Sequence, residues 1–452
     1  MGTSFLSTVE YLPREELDAL TWVRLKEQVD FVFRSNRFYR EKMEERGLSP
    51  KDIASLEDYR RLFPYCSKAE FVSDQEANPP FGHRLGVSPD RVAVILLTSG
   101  TSGQGQEVCG FTKADIEHAI LQGSCVFTWS GFERGDSFVS FLSPGNTAAT
   151  RILYLVAEKC GRVPYYLGHL PFGERIEWMQ RFGVNMLFAT PSYLNALSVA
   201  AAKIGGRPRE LLPDLKSILI AGESYPLAWA RRAEEEWGAR IFETYGATQT
   251  NGTMSAHTCE EGAAPSRGRG MMHFFQWSIY HEILDPSTGQ EVGPGEEGEL
   301  VITTLNREAS PAMRFRTGDR VRKVSWRECG CGRELDGIEC GSVSRLDDMV
   351  KIRSQNVWPS AVEAVLFSTS WVDEYQARIY LSDAGKECAQ LKIAPKPGLS
   401  PREAEVAALC AKVKKMTNVT FEVCLVRRDD LPYFEYKARR WLDTRAEQMG
   451  AA

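Results

Sequence analysis

Between residues 91 and 246 short apolar runs alternate with amphipathic stretches, and nothing else in the chain constrains the fold so strongly. "RVAVILL", "VNMLFAT", "LKSILIAGE" and "ARIFETYG" have the length and continuous apolar character of strands buried on both faces. "GERIEWMQRF" and "PLAWARRAEEEWG" between them carry apolar residues at helical spacing. This alternation predicts a layered α/β body. Mixed charge at helical spacing over the first 70 or so residues predicts helices ahead of it. Further on, "MHFFQWSIYHEILDPSTGQEVGPGEEGELVITTL" joins strand runs through turns rich in Gly, Pro and Asp, which predicts a β-rich subdomain of the same body.

A chain of 452 residues exceeds what one core serves, so more than one domain is expected. The texture changes near residue 345. "YQARIYLS", "AQLKIAPK" and "FEVCLVRR" read as strands around the helix "SPREAEVAALCAKVKKMT", where Ser400, Pro401 and Glu403 predict a capping box. The expected division is a large core at 1–345 and a small α+β domain at 346–452. The net charge of -5 gives no pull toward nucleic acid or anionic lipid. No apolar segment approaches the roughly 20 residues that span a bilayer, and the N-terminus lacks the pattern of a secretory signal. Eleven cysteines, mostly scattered singly, fit free thiols in a reducing cytoplasm.

The first apolar run opens into Thr98-Ser99-Gly100-Thr101-Ser102-Gly103-Gln104-Gly105. Glycines let backbone N–H groups converge on an anion and the hydroxyls add donors, so the loop suits phosphate. It is not a Walker loop. Gln106 and Glu107 stand where Lys and Ser/Thr belong, and a glutamate there is expected to repel a triphosphate.

Five further stretches follow in order: "AGESY" (221–225), "ETYGATQT" (243–250), "RFRTGD" (314–319), "SRLDDMVKIRSQNVWPSAVE" (344–363) and "LPYFEYKARR" (431–440). Together with the loop they resemble the adenylate-forming superfamily of acyl-CoA synthetases, luciferases and peptide-synthetase adenylation domains. "DDMVKIRSQNVWPSAVEAVL" and the preceding "CGCGR" are most similar to the phenylacetate–CoA ligase branch. The resemblance implies that a carboxylate attacks the α-phosphate of ATP, and that an acceptor then takes the acyl group from the adenylate. By the same resemblance Thr98 to Gly103 grip the outer phosphates. Gly222 and Glu223 cradle adenine, Tyr245 and Gly246 lie against it, and Thr248 contacts the α-phosphate. Asp319 holds the ribose hydroxyls, Arg345 is a second nucleotide contact, Asp347 is the hinge, and Lys437 on the mobile C-terminal domain bridges carboxylate and phosphate. Thr190, Pro191, Ser192, Tyr193 and Ala221 match the acyl pocket. Branch membership implies a flat aryl acid such as phenylacetate, benzoate or an amino- or hydroxybenzoate.

Several positions depart from the family pattern. Gln104 replaces a Lys, Gln249 a Glu that ligates Mg²⁺, Ser354 a Gly on the pantetheine path, and Tyr436 a Gly before the lysine. Coenzyme A is the expected acceptor. The alternatives are an amine, hydroxyl or carrier-protein thiol, or a non-catalytic relative that binds nucleotide and aryl acid. A homodimer is compatible with the sequence.

Cys329-Gly-Cys331 is a C-x-C pair, and Cys259 lies about 70 residues upstream. Thiolates with one imidazole suit structural Zn²⁺. Matching to the branch points to His273 as the imidazole, His257 fits a short H-x-C spacing, and Cys340 is a reserve ligand.

Overall fold

The computed structural model describes residues 9–98, 105–141, 148–250, 254–346, 348–353, 355–382, 386–432, 434 and 440–445. Helices Arg14–Ser35, Arg37–Glu44, Leu56–Leu62 and Lys68–Ala77 form the N-terminal part, as the charge pattern predicts. A 12-stranded sheet runs through the large lobe. One half is parallel, in the order Val163–Tyr165, Ser137–Ser140, Met186–Ala189, Ser217–Ile220, Arg240–Tyr245. The other half continues antiparallel through Ala256–Thr258, Met271–Phe274, Gly337–Glu339, Phe315–Val324, Glu297–Thr304 and Ile279–Leu284, and the twelfth strand, Ser344–Arg345, pairs with Phe315–Val324.

Successive strand residues point to opposite faces, and each face feeds its own core. Leu187, Ala189, Ile218, Ile220 and Ile241 pack with helices Arg175–Phe182, Pro191–Lys203 and Leu227–Trp237. Met186, Phe188, Leu219 and Phe242 pack with helices Lys113–Trp129 and Ala148–Lys159. Burial on both sides is why these strands read as unbroken apolar runs.

"RVAVILL" departs from that expectation. Val94–Leu97 lies outside the large sheet and pairs only with Val108–Phe111, in a two-stranded antiparallel sheet. Ile95 and Leu97 are each 52% exposed, so an apolar run of strand length here marks a one-sided hairpin and not a core strand.

The small lobe has a four-stranded sheet in the order Glu422–Leu425, Glu387–Pro395, Val372–Leu381, Trp441–Asp443. With helices Pro359–Ser368 and Glu403–Thr417 it builds a separate core around Leu366, Tyr375, Leu391 and Val413. The second helix starts two residues later than its sequence suggests. Arg402 is the N-cap, and its backbone N–H donates 2.9 Å to Glu405 Oε2, so Ser400 and Pro401 lie ahead of the helix. No helix among the described residues is long and apolar enough to cross a membrane.

Candidate active site

Three neighbouring parallel strands end side by side, and the predicted binding residues follow each end. Met186–Ala189 leads into Thr190, Pro191, Ser192 and Tyr193. Ser217–Ile220 leads into Ala221, Gly222 and Glu223, and Arg240–Tyr245 leads into Gly246 and Thr248. In open α/β sheets ligands bind at the carboxyl ends of strands, where the topology changes. Here the sheet turns from parallel to antiparallel directly after Tyr245.

Local geometry holds each loop in place. Thr190 caps helix Pro191–Lys203, its hydroxyl accepting from Tyr193 N–H at 3.1 Å, with Pro191 at the first helical position. Ser192 donates from Oγ and from N–H to Glu223 Oε2, at 2.6 and 3.0 Å, which ties the first loop to the second. Gly222 has φ 86°, a conformation that a side chain would strain.

Tyr245, Asp319 and Arg345 come together. The Tyr245 hydroxyl donates to Asp319 Oδ2 at 2.6 Å. Arg345 Nη1 donates to Asp319 Oδ1 at 3.1 Å and to the Thr317 carbonyl at 2.7 Å. Asp319 and Arg345 are register partners on paired strands, so the backbone itself sets them opposite each other. Gly318, at φ 70°, lies where an added Cβ would meet Arg345 Nη2 at 2.8 Å. Each carboxylate oxygen accepts a hydrogen bond from the protein.

A buried buttress underlies this group. Glu243, two residues before Tyr245, accepts from the Tyr225 hydroxyl at 2.6 Å and from Gly341 N–H at 2.8 Å. It thereby joins the adenine loop, the Tyr245 strand and the turn leading to Arg345. Burial pushes its carboxyl up to about 7 against those two hydrogen bonds. An acid inside the apolar run "RIFETY" was the sequence signal for it, since a buried carboxyl needs partners.

At the phosphate loop the described residues are its two edges. Thr98 N–H donates to the Glu107 carbonyl at 3.0 Å, and Glu107 N–H donates to Thr98 Oγ1 at 2.8 Å. Ser99, Gly100, Thr101, Ser102 and Gly103 lie outside the described residues, as do Asp347, Ser354 and Lys437. Glu107 points into the interior, in keeping with the exclusion of a Walker loop. It is fully buried, paired with the buried Arg84, and accepts from Gln249 Nε2. A carboxylate only accepts, so the amide must turn its nitrogen to Glu107 and its oxygen away.

The pocket segment is aromatic. Tyr193 lies 6.0 Å from Phe141 and 5.8 Å from Phe172, centroid to centroid. A buried cation packs against them: Arg175 lies within 5.7 Å of all three rings, and its Nη1 donates to the Tyr193 hydroxyl.

Cys259, His273, Cys329 and Cys331 converge, with one ligand atom from each inside a span of 4.8 Å. Cys259 and Cys329 sulfurs are 3.6 Å apart, and Cys331 Sγ lies 3.5 Å from His273 Nε2. His273 Nδ1 faces the Leu335 carbonyl at 2.8 Å, which places its proton there and leaves Nε2 as the donor atom. His257 is elsewhere, its Nε2 2.9 Å from Ser130 Oγ, and Cys340 is outside the group.

Two descriptions match the chain: AMP-binding enzyme over residues 28–306 and AMP-binding enzyme C-terminal domain over 354–445. The phenylacetate–coenzyme A ligase of Thermus thermophilus is 29% identical, over 97% of this chain and 98% of that protein. Its counterpart in Escherichia coli is 27% identical over the same shares. Among solved structures, 2-hydroxyisobutyryl-CoA ligase in its postadenylation state superposes with a TM-score of 0.86 at 24% identity, over 98% of this chain and 94% of that one. In its thioesterification state the same ligase superposes at 0.70. The strand-end loops, the Tyr245–Asp319–Arg345 group and the two-lobed architecture agree with those matches: the chain belongs to the AMP-binding enzyme family.

Proposed function

We infer that this protein activates a carboxylic acid with ATP to an acyl-adenylate and passes the acyl group to coenzyme A. The observation that carries the reading is the convergence of Tyr245, Asp319 and Arg345 beside the ends of three parallel strands. Relatives over nearly the whole chain are phenylacetate–coenzyme A ligases, which supports the same chemistry.

Asp319 receives the ribose hydroxyls, the Tyr245 ring lies along the purine, and Gly222 and Glu223 border it. Thr248 reaches the α-phosphate, and the hydroxyls of the 98–103 loop hold the outer phosphates. Joining two anions needs positioning and charge neutralisation. Lys437 supplies the positive charge between carboxylate and α-phosphate. Mg²⁺ arriving with ATP neutralises the phosphates, and Gln249 Oε1, turned away from Glu107, offers it a neutral oxygen.

The acid is aromatic. Phenylacetate–coenzyme A ligases related over nearly the whole chain support an aryl acid. The Cys259–His273–Cys329–Cys331 group holds structural Zn²⁺. Three thiolates, one imidazole and the ion sum to one negative charge, and the Arg267–Glu261 ion pair borders the group, Arg267 Nη2 lying 3.5 Å from Cys329 Sγ.

Acid-dependent ATP–pyrophosphate exchange over a panel of aryl carboxylates tests the first half-reaction, with Lys437→Ala as the inactive control. Thioester formation with coenzyme A tests the second. Absence of exchange with every acid in the panel would overturn the reading.

A further inference from the structure

Arg440 follows Lys437 by three residues in the sequence, and its contacts belong to both lobes. It is 8% exposed. Within the small lobe it grips Glu374 with two donors, Nε to Oε1 at 2.7 Å and Nη2 to Oε2 at 3.1 Å. Across the lobe boundary, Nη2 also donates to Ser192 Oγ at 2.9 Å. That hydroxyl donates onward to Glu223 Oε2 at 2.6 Å, so one oxygen joins the cation to the predicted adenine cradle.

A second contact crosses beside it. Ser224 Oγ donates to Glu363 Oε2 at 3.3 Å. Glu363 lies 3.7 Å from Arg440 Nη1 and accepts from the Tyr375 hydroxyl at 2.9 Å. Phe434, also of the small lobe, shares a cleft with Phe172, Ala196, Ala200 and Ile204 of the large one. The small lobe is therefore seated directly on the acyl-pocket helix and the adenine loop.

The pairing is divided in a way that permits release. Arg440 and Glu374 sit on one lobe, and Ser192 and Glu223 on the other. Separation leaves the guanidinium paired with its carboxylate and the serine bonded to its glutamate, so no charge is left buried without a partner. Among the described residues the hydrogen bonds that break are Arg440–Ser192 and Ser224–Glu363, which water can replace, together with the Arg320–Trp358 cation–π contact. The reach is also right. A residue three positions from Arg440 in the chain, as Lys437 is, can lie at most about 11 Å from it. The seated arrangement is the one that superposes better on the postadenylation than on the thioesterification state of 2-hydroxyisobutyryl-CoA ligase.

We propose that Arg440 is a detachable interlobe latch, docked on the Ser192–Glu223 pair while the adenylate forms and released from it, still paired with Glu374, for acyl transfer. This rests on the function inferred above, and it makes Arg440 a positioning residue for the first half-reaction alone. The planar fork of arginine serves Glu374 and Ser192 at once, which a lysine ammonium cannot reproduce.

Two variants test it, one on each lobe. Ser192→Ala removes the acceptor and leaves the Arg440–Glu374 pair intact, and Arg440→Lys keeps the charge but not the fork. Three readouts are taken: pyrophosphate exchange with phenylacetate, thioester formation from supplied phenylacetyl-adenylate and coenzyme A, and small-angle scattering of the ligand-free chain. Both variants should lose about tenfold or more in exchange, the worth of one charge-assisted hydrogen bond. Thioester formation by Arg440→Lys should stay at the wild-type rate or rise, Ser192→Ala should lose less in thioester formation than in exchange, and the radius of gyration of both variants should increase. Equal losses in both half-reactions, or a loss confined to one variant, would overturn the latch. If wild type exchanges no pyrophosphate with any aryl acid, the functional reading fails and scattering alone decides the latch. A profile unchanged in both variants then overturns it, and expansion in both supports it.

Discussion

Glu107→Gln is the most informative single change outside the nucleotide contacts. The Glu107 carboxylate is completely buried and balances Arg84, itself 1% exposed and stacked 3.8 Å over the Phe71 ring. Arg84 has one other strong anchor, Nη1 to the Pro311 carbonyl at 3.2 Å, while its Nε has no partner. An amide at position 107 accepts a hydrogen bond but carries no charge, so a guanidinium is left uncompensated in the interior. Removing one partner of such a pair costs about 3–5 kcal/mol. Unfolding entropy of about 2 cal/mol/K per residue converts that into a fall of roughly 3–6 °C in Tm for a chain of 452 residues. The change also frees the Gln249 amide to turn over, because its neighbour no longer only accepts. The KM for Mg–ATP should therefore rise while the binding of Mg-free ATP is preserved. Differential scanning calorimetry gives the first number, and titrations with and without Mg²⁺ give the second. The double variant Arg84→Met/Glu107→Gln removes the stranded cation and should recover most of the lost stability. A Glu107→Gln protein melting within a degree of wild type, or a double variant no more stable than the single one, would refute the reasoning.

Other consequences follow from the same geometry. Glu243 has a folded-state pKa near 7 against about 4.5 unfolded, so the folded chain holds a proton that the unfolded chain has already released. Stability should fall as pH rises from about 4.5 to about 7, by ~3 kcal/mol in full. Glu243→Gln should therefore gain on wild type at pH 8 relative to pH 5, and a difference in Tm that does not change with pH would contradict this. Asp319→Asn replaces the acceptor shared by Tyr245 and Arg345, and ATP affinity measured calorimetrically should drop about tenfold or more. Purified protein should contain about one zinc per chain. Cys331→Ser should lose it and melt several degrees lower, and wild-type protein free of metal but equally stable would exclude the site.

What could be read in the residues followed from how each signal arises. The parallel strands were legible because burial on both faces demands unbroken apolar runs such as "VNMLFA" and "LKSILIA". Val94–Leu97 has the same composition yet lies on an exposed hairpin, since a run of that length carries no information about what covers it. Tyr245, Asp319 and Arg345 were found through motif resemblance, and the structure brings these three together. His273 and His257 could not be separated by spacing, because which imidazole meets the thiols depends on strand register. Arg440 sat in a basic run beside Arg439 and looked like a solvated face. Its partners Glu374 and Ser192 are 66 and 248 residues away in the chain, a distance no local pattern spans. The surroundings of Glu107 were not legible for a related reason. Its neighbour Arg84 is 23 residues earlier, in a segment with no motif of its own.

The small hairpin formed by Val94–Leu97 and Val108–Phe111 has a consequence for how such a protein can change. The phosphate-loop segment is strung between two strands that bond to each other and to no strand of the large sheet, with Thr98 and Glu107 closing its base. Residues can be inserted or deleted at its tip without shifting the pleat of any central strand. Changes between the two hairpin strands and changes at the ends of the central strands are therefore separately heritable, and selection can retune one while the other stays as it is.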